Sequence, residues 1–114
     1  MKSLVYRPVK DGSGNFAAWL NDLRNQSGAY VIRSSAGVLY VGESHTGNLA
    51  KTIKRHFYAW TDAPERPHHT YQAGRVEVAV RLTPPGAAAG AQNNLIARLN
   101  PRDNGNGFPP EKPF

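Results

Sequence analysis

The first feature able to do chemistry is a run of cations on one short stretch. Lys51, Lys54 and Arg55 lie among the apolar residues Leu49, Ile53 and Phe57, which recur at i, i+4 and i+8. That spacing predicts an amphipathic helix with the cations on its other faces and Asn48 as its N-cap. Fourteen Lys and Arg against eight Asp and Glu give a formal charge of +6, which favours polyanionic partners through counterion release. Ahead of the helix, Gly28 and Gly42 bracket two short apolar runs. A glycine at such a place relieves a strained backbone angle or lets another backbone or a phosphate come close. Ser44 and His45, just past the second run, either contact such a phosphate or are simply exposed. His68 and His69 are adjacent, so in an extended loop they point apart and do not share a zinc ion. With no cysteine, disulfides and thiolate metal sites are excluded.

These residues need elements to hold them. Tyr30, Val31 and Ile32 have strand character, Ser35-Ala36-Gly37 supplies a tight turn, and Val38 to Val41 resumes the strand, so a β-hairpin feeds the basic helix. Arg75 to Leu82 alternates, with Val76, Val78, Val80 and Leu82 on one face, and reads as a third strand. Phe16, Trp19, Leu20 and Leu23 follow i, i+3, i+4, i+7, the stripe of a helix from about Gly14 that ends near Asn25 to Ser27; core packing or a protein-binding face would use it. Residues 1 to 13, with Pro8 and Gly12, read as an extended arm or short edge strand. The segment from Tyr58 to Gly74 reads as a long loop, and Ala87 to Leu99 as a helix with Ala91, Leu95 and Leu99 on one stripe, ended by Asn100-Pro101.

Gly28-Ala29-Tyr30, followed ten residues after Tyr30 by Tyr40-Val41-Gly42, resembles the paired signature of the GIY-YIG nuclease family. The resemblance runs on through Asn48 to Phe57, where the family has a basic helix ending in a His, and through Gln92 to Asn104, covering roughly residues 27 to 104. It implies an α/β (α+β) fold, a small three-stranded, mainly antiparallel sheet flanked by helices. The chain then divides into an N-terminal arm and amphipathic helix over 1–26, a nuclease-like domain over 27–104 and an irregular tail over 105–114, in one compact unit. Cutting a phosphodiester bond needs an activated water, balance of the charge on phosphorus and protonation of the leaving oxygen. By the resemblance Tyr30 and Tyr40 lie beside the attacking water, one of them as general base, and His56 assists proton transfer. Asn104 matches the family's Asn after the last helix, where it would hydrogen-bond across the site; capping of the helix exit is the plainer reading. Without the resemblance, each tyrosine is a sheet residue with a hydrogen-bonded hydroxyl.

Two family residues are replaced. Gln92 stands where the family has a metal-binding Glu, and Thr52 where it has an Arg four residues before the His. A neutral amide oxygen holds Mg²⁺ or Mn²⁺ less well than a carboxylate, and Thr52 cannot clamp a phosphate as a guanidinium can. Three explanations stand. Gln92 is an engineered change that blocks catalysis; or the site is rearranged, with Arg55 as phosphate clamp and Glu43 as substitute metal ligand; or the fold is silent and binds nucleic acid through Arg33, Lys51, Lys54 and Arg55. The expectation is therefore a metal-dependent DNA endonuclease, with a nucleic-acid-binding module without cleavage as the alternative. A basic adaptor using the Phe16 and Trp19 stripe is a third reading. No run approaches about 18 apolar residues and the N-terminus lacks a signal-like stretch, so no membrane partner is expected and a cytoplasmic location is the default.

Overall fold

In chain order the elements are β1 (Arg7–Pro8), α1 (Ala18–Asn21), β2 (Gly28–Ser34), β3 (Gly37–Ser44), α2 (Leu49–Lys54), β4 (Glu77–Leu82) and α3 (Ala88–Leu99), with single turns of 3₁₀ helix at Arg55–Phe57, Ala73–Arg75 and Pro85–Ala87. The structure, a computed structural model, describes residues 4–57 and 71–104. Of the long loop expected from Tyr58 to Gly74, residues 58–70, with His68 and His69, lie outside those residues, as does the tail over 105–114.

The sheet has four antiparallel strands in the order β1-β4-β2-β3, where three were expected. The added strand is the N-terminal arm, which pairs Arg7 with Val78 and Pro8 with Glu77. Pro8 is tolerated because β1 is an edge strand two residues long. Residues 4–26 are thus part of the same sheet and core as the rest, since Val9 and Leu20 are fully buried with Tyr30 and Ile32.

The β2–β3 hairpin forms as expected, with a register shift between Ile32 and Arg33. That bulge lets Leu39 and Tyr40 both reach the core with Tyr30 and Ile32. Alternation splits the sheet into two covered faces. Tyr30, Ile32, Tyr40 and Val78 pack with Leu49 and Ile53 of α2, while Ala29, Val31, Val41 and Ala79 pack with Leu95, Ala91 and Ile96 of α3. Each fully buried aliphatic side chain contributes about 1.5–3 kcal/mol.

The first helix is shorter than its stripe predicts, four residues followed by turns. Asn25, at φ 64°, adopts the left-handed conformation that ends the segment. The stripe is nonetheless spent inward: Leu20 and Leu23 are buried, Phe16 and Trp19 pack on the core, and Trp19 Nε1 donates to the Pro8 carbonyl at 2.8 Å. Along Val76 and β4 the expected apolar face holds at Val76 and Val78 and then opens, leaving Leu82 54% exposed. The last helix matches its stripe except that Gln92 is among the buried residues, and Asn100 ends it at φ 47°. No helix of the described residues is long and apolar enough to cross a membrane.

Candidate active site

The register places Tyr30 opposite Gly42 and Ile32 opposite Tyr40, so both phenols leave neighbouring strands on one face. The helix α2 crosses that face, and the 3₁₀ turn continuing it delivers His56. The three side chains meet. Tyr30 Oη lies 2.6 Å from His56 Nε2, and the His56 ring centroid is 5.5 Å from that of Tyr30 and 5.0 Å from that of Tyr40. With the imidazole proton on Nδ1, the phenol donates to Nε2. Tyr30 and His56 are 0% exposed and Tyr40 is 1% exposed, so the cluster is closed to solvent.

The two motif glycines have separate reasons. A Cβ on Gly42 would collide with the Tyr30 hydroxyl and ring, so the missing side chain makes room for the phenol. Gly28, at φ 154°, faces the backbone of Arg81 and Leu82, where a Cβ would strike the Arg81 carbonyl oxygen. Asn104 is neither a cap of the preceding helix nor a member of the trio. Its Oδ1 accepts from Val41 N at 2.8 Å and its Nδ2 donates to Val41 O at 2.9 Å, sealing the outer edge of β3 between Tyr40 and Gly42.

Two residues join this neighbourhood that the residue patterns did not single out for chemistry. Tyr71 N donates to His56 O at 2.7 Å, its ring lies 6.0 Å from the imidazole, and its hydroxyl donates to Asp103 Oδ2 at 2.6 Å. Burial, and then the bond and charge of Asp103, push the Tyr71 phenol well above its ordinary range, so it stays protonated. Asp103 is 5% exposed and held by Arg102 Nε at 2.7 Å and Nη2 at 3.0 Å. A carboxylate inside a polar, Gly- and Asn-rich exit carries no periodic signal; only the backbone bonds from Arg102 and Asp103 to Val38 and Leu39 draw it inward.

The remaining expected residues are dispersed. Gln92 is buried on α3, the helix packed against the opposite face of the sheet, and its Oε1 has no hydrogen-bond partner. Glu43 is not a solvated turn residue: it lies within β3 with its side chain 10% exposed, 3.1 Å from His45 Nδ1. Ser44 is buried at the strand end with an unpartnered Oγ, while His45 is exposed. Thr52 is 3% exposed and one helical turn from His56. Lys51 is exposed, and Lys54 and Arg55 are half-buried, with Lys54 Nζ donating to Asn21 Oδ1 at 2.8 Å. Asn48 stands at the helix start without a side-chain cap, because its Nδ2 bonds Thr46 Oγ1 instead. Arg33 is far along β2 from this cluster, paired with Glu77 at 3.0 Å.

For a hard divalent cation these donors do not fit. Gln92 offers one neutral oxygen, and Glu43 is already engaged by His45. Among the described residues no group of three or more His, Cys, Asp or Glu could hold a metal ion. No protein-family model matches the chain, and no curated protein matches its sequence.

Proposed function

We propose that the chain is a GIY-YIG-like nuclease that hydrolyses phosphodiester bonds in DNA inside the cell. The observation that carries this reading is the Tyr30 hydroxyl at 2.6 Å from His56 Nε2 with the Tyr40 ring against the same imidazole. Transfer of the phenol proton to Nε2 leaves an oxygen able to take a proton from the attacking water, and His56 then carries the proton that the leaving oxygen needs. Tyr40 packs against the same imidazole beside Tyr30 and helps to fix it. Arg55, at the end of the same helical segment, is the phosphate clamp, and Lys51 and Lys54 add attraction for the backbone. Because the trio is buried, the phosphate reaches it only when neighbouring side chains move aside. Mg²⁺ or Mn²⁺ would enter only with a carboxylate at position 92, which the neutral amide of Gln92 does not supply.

A second reading has its own support. A buried, hydrogen-bonded Tyr–His pair together with a neutral residue at position 92 also describes a silent fold that binds nucleic acid without cutting it.

Plasmid nicking with Mg²⁺ or Mn²⁺ tests both. The chain, Gln92→Glu, and Gln92→Glu with Thr52→Arg are compared, each with and without Tyr30→Phe. Nicking that rises with Gln92→Glu and falls at least about 100-fold on adding Tyr30→Phe is the expected result for general base catalysis. Salt-sensitive binding with no nicking in any version overturns the nuclease and leaves the binding module.

A further inference from the structure

An open cleft of about 820 Å³ lies at the turn end of the hairpin, away from the trio. Its walls carry Lys10, Arg33 and Arg75, with the hydroxyls of Ser34 and Ser35, against one carboxylate, Glu77. Glu77 is already spent, since its Oε1 accepts from Arg33 Nε at 3.2 Å and Nη2 at 3.0 Å. The same guanidinium lies 3.6 Å over the Tyr6 ring, so it is held from two sides with donors left over. Lys10 is steadied 4.6 Å over the Phe16 ring, and Arg75 is exposed at the end of a 3₁₀ turn. Ser34 Oγ accepts from Ala36 N at 3.1 Å, leaving its own proton to donate.

We propose that this cleft binds the sugar-phosphate backbone of a nucleic acid, as an anchor separate from the Tyr30–His56 pair. The proposal rests on the nucleic-acid reading above but not on cleavage. Three cations around one compensated carboxylate exceed what a lone surface ion pair needs, and they face an open channel rather than each other. Both neighbouring rings are covered by cations, so the cleft presents charge and hydroxyl donors, the chemistry that positions a backbone, rather than a platform for stacking bases. Arg33 is three residues beyond Tyr30 on β2, so the alternation of the strand sends the two side chains to opposite faces of the sheet and sets the cleft apart from the pair.

The test is anisotropy of a labelled DNA duplex over a salt series, for the chain, for Lys10→Ala with Arg75→Ala, and for Lys51→Ala with Lys54→Ala. Arg33 is left intact because its pairing supports the sheet. The expected result is that Lys10→Ala with Arg75→Ala flattens the slope of log affinity against log salt by about 2, roughly one per lost phosphate contact, with an unchanged melting temperature. An unchanged slope overturns the cleft, and if the Lys51 and Lys54 pair alone flattens it, the nuclease reading survives that loss. A flattened slope without nicking in any Gln92→Glu version upholds the cleft while the nuclease fails. Displacement of the duplex by inorganic phosphate or a nucleoside monophosphate at equal phosphate concentration would make this a free-anion site and overturn the backbone assignment.

Discussion

The two ends of the β2–β3 hairpin treat polar side chains in opposite ways. Around Tyr30 the phenols and the imidazole are closed off, with Tyr30 bonded to His56 and Tyr40 packed on both, and the space is so filled that Gly42 has no room for a Cβ. At the turn end Arg33 and Glu77 are each more than two-fifths exposed, and a Cβ on Gly37 would meet nothing within 4 Å. The residues able to move protons are where water is excluded, and the charges able to attract a polyanion are where it is not. The physical consequence is that low dielectric strengthens the Tyr–His bond, whereas the exposed cations are screened by salt.

Three changes of falling size break or sharpen this contrast. Gly42→Ala forces Tyr30 off its position and off His56, and overpacking with loss of a buried hydrogen bond costs about 3 kcal/mol. Chemical denaturation measures it, with Gly37→Ala as the control, where only the backbone angle of φ 129° is strained and about 1 kcal/mol is lost. A Gly42→Ala protein as stable as the Gly37→Ala one would mean that the trio is loosely packed.

Tyr71→Phe comes next, removing the bond to Asp103 and costing about 1–2 kcal/mol. Its pH dependence is the sharper readout. The phenol is raised above its ordinary value of 10.0, so its contribution is complete below that pH and is lost as pH rises past it. Melting temperatures from pH 8 to 11 therefore fall more steeply for the chain than for Tyr71→Phe; parallel curves would mean that burial and Asp103 together do not raise this phenol. The smallest effect is at the open end. A double-mutant cycle on Arg33→Ala and Glu77→Ala returns a coupling of about 0.2–1 kcal/mol that shrinks with salt, as for other exposed pairs. A salt-independent coupling near 3 kcal/mol would make that end as closed as the trio.

The amino-acid pattern alone determined the hairpin, the basic helix, the alternating strand and the last helix, because each is written in periods of 2 or 3.6 that a few neighbouring residues suffice to show. The resemblance to the GIY-YIG nucleases, rather than any period, pointed to Tyr30, Tyr40 and His56 as a set, and the register of β2 on β3 with α2 above brings those three together. Only the tertiary structure decided the rest. The arm became β1 because β4 offered an edge, and the Phe16 and Trp19 stripe was drawn into the core. Ser44 and Gln92 were buried and Glu43 half-buried, Asn104 was committed to Val41 across 63 residues, and Asp103 to Tyr71 across 32. Local periodicity reports which face of an element is apolar, but which polar group ends beside which is set by long-range packing.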